Sequence, residues 1–205
     1  LDAVIKGDIK TAKEETLKAV DAGQNAQDIL DQGLIEAMNV VGDNFSKGSI
    51  FVPQMLRSAK TMQECVEVLK PHFQENAMTT KGSIVLGTVK GDLHDIGKNL
   101  VGMMLEGAGF NIIDLGVDVA PEVFVDKIKE ANADVLGMSA LLSTTMPSMS
   151  LTIKALADLG LRDTVKVIIG GAPVTRKYAE DIGADSYASD AGAAVHETKK
   201  LLNIT

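Results

Sequence analysis

The hydrophobic period of this chain changes once, and that change constrains the fold more than any single residue does. From Ile9 to Leu69 apolar side chains recur at helical spacing, as where Met55, Ala59, Met62, Val66 and Leu69 step by four, three, four and three. Gly and Pro punctuate this half at residues 21–27 and 46–53, dividing it into about four helices packed as a bundle. A polar stretch without periodicity, residues 71–82, comes next. Beyond it short apolar runs alternate with helical segments: 83–89, 111–116, 134–140, 165–171 and 184–189. These five runs read as strands, and the middle ones are apolar enough to be covered on both faces. The expected organisation is therefore a helical domain over residues 1–76, a linker over 77–82, and a doubly wound, flavodoxin-like α/β domain with a five-stranded parallel sheet over 83–205.

Composition narrows the function classes. Lys and Arg total 20 against 28 Asp and Glu, so a phosphate backbone is repelled and nucleic acid is not an expected partner. No apolar run approaches the roughly 18 residues of a membrane span, and the first ten residues lack a basic start followed by an apolar stretch. The lone Cys65 lies in an amphipathic pattern and reads as a buried, inert thiol, which gives no reason to look outside the cytoplasm. Two of the three histidines, His72 and His196, stand in polar surroundings and read as solvated.

The third histidine stands elsewhere. In a doubly wound sheet, ligands bind beyond the carboxyl ends of the strands, so the candidate loops begin at Lys90, Gly116, Leu141, Gly170 and Ser189. The first of these holds His94, flanked by Asp92 and Asp95 within "GDLHDIG". An Asp two residues before a His can turn back onto one ring nitrogen, fixing the tautomer and leaving the other nitrogen for a metal or a proton. No Cys or second nearby His completes a zinc shell, and no Ser in a G-x-S-x-G turn offers a nucleophile. A single protein ligand suggests a metal whose other ligands arrive in a macrocycle.

With Asp92, His94 and Gly97, then Ser139 and Leu141, then Gly170 and Gly171, the chain resembles the D-x-H-x-x-G, S-x-L, G-G series of cobalamin-binding domains, in order and in spacing. Residues 33–62 in turn resemble the helical cap of methionine synthase and of the small corrinoid proteins of methyltransferase systems. The resemblance implies cobalamin, as methylcobalamin or a related corrinoid, bound base-off with His94 as the lower cobalt ligand, Asp92 bonded to its other nitrogen, and Thr145 as third member of that relay, where methionine synthase has serine. It further implies cofactor contacts from Leu93, Asp95, Ile96, Val117, Ser143 and Ala172. The displaced nucleotide tail would lie near Ser139, Gly170 and Gly171, with Tyr187, Asp190 and Ala191 in the last tail-contacting loop. Phe45 and Val52, with Met55 as a further candidate, would cover the upper face of the cobalt and move aside for transfer. The implied activity is that of a methyl carrier, non-catalytic alone. It would shuttle a methyl group between a substrate-specific corrinoid methyltransferase and a second methyltransferase with a thiol or tetrahydropterin acceptor, and a reductive activating protein would serve it. A cobalamin-dependent sensor is the alternative from another class.

Overall fold

The computed structural model describes residues 1–72 and 80–204, so the expected boundary at residue 76 and the first part of the expected linker, 77–79, lie outside the described residues. The chain divides into two compact units, one comprising Leu1–Thr80 with Glu106–Gly109 and the other Lys81–Leu105 with Phe110–Thr205.

The first unit is helical: α1 (Asp2–Lys6), α2 (Ile9–Asp21), α3 (Ala26–Asp28), a π-helical stretch (Ile29–Ile35) running without interruption into α4 (Glu36–Ser46), and α5 (Val52–Leu69). Local chemistry starts them. The Asp8 carboxylate accepts from Thr11 N–H at 3.2 Å at the head of α2, and Asn25 Oδ1 accepts from Gln27 N–H at 2.8 Å at the head of α3. Pro53 stands in the first turn of α5, where its missing N–H costs nothing. Met55, Ala59, Met62, Cys65 and Leu69 are buried along α5. Cys65 rather than Val66 takes the inward place, and burial pushes its thiol pKa up. One expectation needs adjusting: helix α1 lies ahead of Ile9, where the periodic pattern begins.

The second unit carries strands β1 (Ser83–Thr88), β2 (Asn111–Asp114), β3 (Val135–Ser139), β4 (Lys166–Gly170) and β5 (Ser186–Ala188). They form one sheet in the order β2-β1-β3-β4-β5, every pairing parallel. Helices α6 (Ile96–Gly107), α7 (Pro121–Ala131), α8 (Pro147–Asp158), α9 (Arg176–Ile182) and α10 (Ala191–Leu201) connect or follow the strands. Consecutive residues of β1 and β3 are buried, as both-sided cover demands, whereas the edge strand β2 is only half covered. Phe124 of α7 sets one contact so tightly that a Cβ at Gly87 would lie 2.6 Å from its ring.

This order reverses between β1 and β3. The loops that leave their carboxyl ends therefore flank the switch point where such sheets take ligands.

Candidate functional site

Asp92 is the hinge of the site. It is 0% exposed, and its two oxygens are divided between the loops on either side of the switch point. Oδ1 stands 2.7 Å from His94 Nδ1 and accepts from His94 N–H at 3.1 Å. Oδ2 accepts from Leu141 N–H at 2.7 Å, Leu142 N–H at 3.2 Å and the Thr145 hydroxyl at 2.7 Å. Burial by itself would raise the pKa of this carboxyl. The bonds from Thr145, His94 and Leu141 outweigh it and hold the group far below the usual carboxylate range. An ionised Asp92 can only accept, so His94 presents Nδ1–H to it, and Nε2 is the ring nitrogen left without that bond. The His94 side chain is 52% exposed, and its loop is fixed from behind by the buried Thr88 hydroxyl, which donates to His94 C=O at 2.8 Å.

The surroundings fit a broad, mostly apolar group above that nitrogen. Leu93, Ile96, Leu141 and Leu142 are exposed here although large and apolar, Ile96 to 83%. A Cβ added at Gly97 would meet nothing within 4 Å, so no neighbour in the fold requires glycine there. A flat macrocycle pressed against the loop would. Asp95 is exposed and accepts from Asn99 Nδ2 at 3.2 Å, and Val117 lies half-buried in the loop after β2.

Ser139 and Gly170 are register partners at the ends of β3 and β4. The glycine pair has a reason internal to the fold. A Cβ on Gly171, at φ +124, would sit 1.9 Å from Ala140 O, and one on Gly170 would sit 2.9 Å from Ala188 O. Ser143 and Ala172 are exposed in the loops after β3 and β4, and Tyr187 is half-buried in β5 beneath the Arg176 guanidinium, 5.8 Å from the ring centroid. Asp190 caps α10 by accepting from Ala193 N–H at 2.8 Å, and Ala191 is buried behind it. In the helical unit Phe45 is half-buried near the end of α4 and Val52 is partly exposed at the start of α5. Met55 is 0% exposed, a core side chain of the α5 pattern.

Sequence reasoning missed three polar side chains. Thr88 reads as an ordinary strand residue until its hydroxyl is seen on the His94 carbonyl. Lys98 is 2% exposed, and its ammonium is shared between Asn99 Oδ1 at 2.7 Å and Asp114 Oδ1 at 2.6 Å, joining the first turn of α6 to the end of β2. Nothing in "IGKNL" marks this lysine as buried. The third is Asp118, in the loop after β2.

The switch-point loop, with its carboxylate-bonded imidazole and exposed apolar rim, lies in a segment that matches the B12-binding class of domains. The chain belongs to that family: residues 82–196 match the family described as B12 binding domain, and residues 1–70 match a second family of the same description. It is 46% identical over 198 residues to dimethylamine corrinoid protein 1 of Methanosarcina acetivorans, covering 95% of this chain and 93% of that one. Among solved structures it resembles a cobalamin-binding protein from Desulfitobacterium hafniense, with 34% identity, TM-score 0.83 and coverage of 98% and 95%. It also resembles the methanol:cobalamin methyltransferase complex MtaBC from Methanosarcina barkeri, with 29% identity, TM-score 0.89 and coverage of 100% and 78%. Among the described residues no helix is long and apolar enough to cross a membrane.

Proposed function

We propose that this chain is the corrinoid-carrying subunit of a methyltransferase system, holding its cofactor base-off with His94 Nε2 as the lower cobalt ligand. The observation that carries the reading is the 2.7 Å bond between Asp92 and His94 Nδ1, which engages one ring nitrogen and leaves the other for a ligand at the carboxyl edge of the sheet. The bound corrinoid would supply a cobalt ion able to accept a methyl group and give it up. The protein's part is orientation and tuning. Asp92 holds the imidazole tautomer and adds electron density to the ring, and Thr145 holds Asp92. Leu93, Ile96, Gly97 and Leu141 offer the apolar rim against which a macrocycle can lie. Ser139, Gly170, Gly171, Ala172 and Tyr187 line the neighbouring strand ends where the nucleotide tail would run.

The relatives support the partners in kind. By their names, one serves dimethylamine and another is a complex with a methanol:cobalamin methyltransferase. A substrate-specific methyltransferase is accordingly the first partner of this chain. A second methyltransferase with a thiol or tetrahydropterin acceptor and a reductive activating protein complete the system. None of these relatives is named a regulator, and the sensor alternative is not favoured.

The test is magnetic resonance on the protein loaded with corrinoid in the cobalt(II) form. Coupling to one axial nitrogen should change when the protein is grown on 15N-histidine, and it should vanish in His94→Ala. Coupling that ignores the histidine label and persists in His94→Ala would overturn the assignment.

A further inference from the structure

Asp118 has a backbone conformation that side chains rarely adopt. Among the described residues only Asp118, Asn132 and Asn203 are non-glycine residues at positive φ, and Asp118 stands at 55°. Asn132 stops helix α7 in the ordinary left-handed way, but Asp118 ends no helix. It lies beside the isolated bridge between Val89 and Val119, and its polar groups face one tripeptide. Its N–H donates to Asp92 C=O at 2.9 Å. Its Oδ1 accepts from Gly91 N–H at 2.8 Å, and its Oδ2 pairs with Lys90 Nζ at 3.1 Å. From the other side Ser148 Oγ donates to Lys90 C=O at 3.2 Å. Residues 90–92, which aim the Asp92 carboxylate, are thus gripped by Asp118 through main chain and side chain together. A residue held in a sparsely populated conformation persists where surrounding contacts over-determine it.

We infer that Asp118 is a positioning residue for the Asp92–His94 pair: its left-handed backbone and its carboxylate together hold residues 90–92 so that Asp92 selects the Nδ1–H tautomer of His94. This rests on the reading of His94 as the cobalt ligand for its functional meaning, but not for its geometry. The neutral amide of Asp118→Asn keeps an oxygen for Gly91 N–H and tolerates positive φ. Asp118→Gly keeps the backbone freely and loses the acceptor, and Asp118→Ala loses the acceptor and strains the backbone.

The measurement is 15N NMR of the imidazole nitrogens in the full chain without corrinoid, followed by spectrophotometric titration with hydroxocobalamin. Wild type and Asp118→Asn should show the single Nδ1–H tautomer and affinities within about twofold of each other. Asp118→Gly and Asp118→Ala should show a tautomer mixture and bind corrinoid about 10-fold more weakly, within the range seen when groups that orient a metal ligand are removed. If Asp118→Ala does not fold, Asp118→Gly decides, since glycine has no penalty at that φ. A wild-type tautomer and wild-type affinity in Asp118→Gly would overturn the inference, as would an Asp118→Asn variant that behaves like it. The two readings fail separately. Axial nitrogen coupling that survives His94→Ala removes the ligand assignment while leaving the tautomer result intact, and unchanged tautomers in the Asp118 variants remove the positioning role while leaving the ligand assignment intact.

Discussion

The helical unit and the switch-point site bury polar side chains for different ends. In the helical unit Thr16, Ser58 and Thr61 are buried, and each hydroxyl donates to a backbone carbonyl: Thr16 to Ala12, Thr61 to Arg57 and Ser58 to Ile5. Two of these bonds, those of Thr16 and Thr61, stay within one helix turn. In the sheet unit Thr88, Asp92 and Thr145 are equally buried, but their bonds join separate loops and end on an exposed imidazole. A buried polar group is thus uninformative by itself. What distinguishes a site is where the chain of partners leads.

The largest effect should come from Asp92→Ala, which leaves three backbone N–H groups and one imidazole N–H without their acceptor and leaves the Thr145 hydroxyl only Leu142 C=O at 2.9 Å. Corrinoid affinity should fall about 100-fold, and urea denaturation should show a loss of about 2–4 kcal/mol, each unsatisfied donor costing about 1–3 kcal/mol unless water reaches it. A variant that lost less affinity than Thr145→Val would break the comparison at its centre. Thr145→Val comes next, with about 1–2 kcal/mol lost and a smaller drop in affinity that Thr145→Ser restores. Acid should sharpen the contrast further. The folded pKa of Asp92 lies below its unfolded value of about 3.9, so its contribution is complete above pH 4 and is lost as pH falls towards the folded value. The slope of stability against pH below 4 should therefore flatten in Asp92→Asn, measured by denaturant titration at each pH, and stay unchanged in Thr61→Val. Smallest are the helical hydroxyls themselves: Thr16→Val and Ser58→Ala should cost no more than about 1 kcal/mol and leave corrinoid titrations untouched. A helical variant that weakened corrinoid binding as much as Thr145→Val would erase the distinction.

The sheet was legible because both-sided burial writes itself into consecutive apolar residues, and each of the five runs contains its strand. The ends ran long. Val89 forms an isolated bridge to Val119: its N–H still bonds Ser139 C=O at 3.0 Å, but its C=O accepts from Asp92 N–H at 3.1 Å in the turn that follows. The π-helical stretch was not legible: its buried residues Ile29, Leu30, Leu34 and Ile35 include Leu30 and Leu34 four apart, an ordinary α-helical spacing, beside two pairs five apart. Of the site, the Asp92–His94 pairing could be anticipated from adjacency. Leu141 and Leu142 could not, because they contribute main-chain N–H groups that no side chain announces. Asp118 was equally silent, since a positive φ at aspartate leaves no trace in composition.

The divided carboxylate of Asp92 also bears on time. Its Oδ2 partners at Leu141 and Thr145 lie 49 and 53 residues away in sequence, so the bond cannot form until β1 and β3 have met in register. Contacts of this separation form only once their loop has closed, and we expect this one to complete after the main barrier. Substitution at Asp92 should therefore hasten unfolding far more than it slows folding, visible as a shifted unfolding limb in a chevron with the folding limb nearly unmoved. By that expectation the Asp92 carboxylate takes its place late in folding and leaves it early in unfolding.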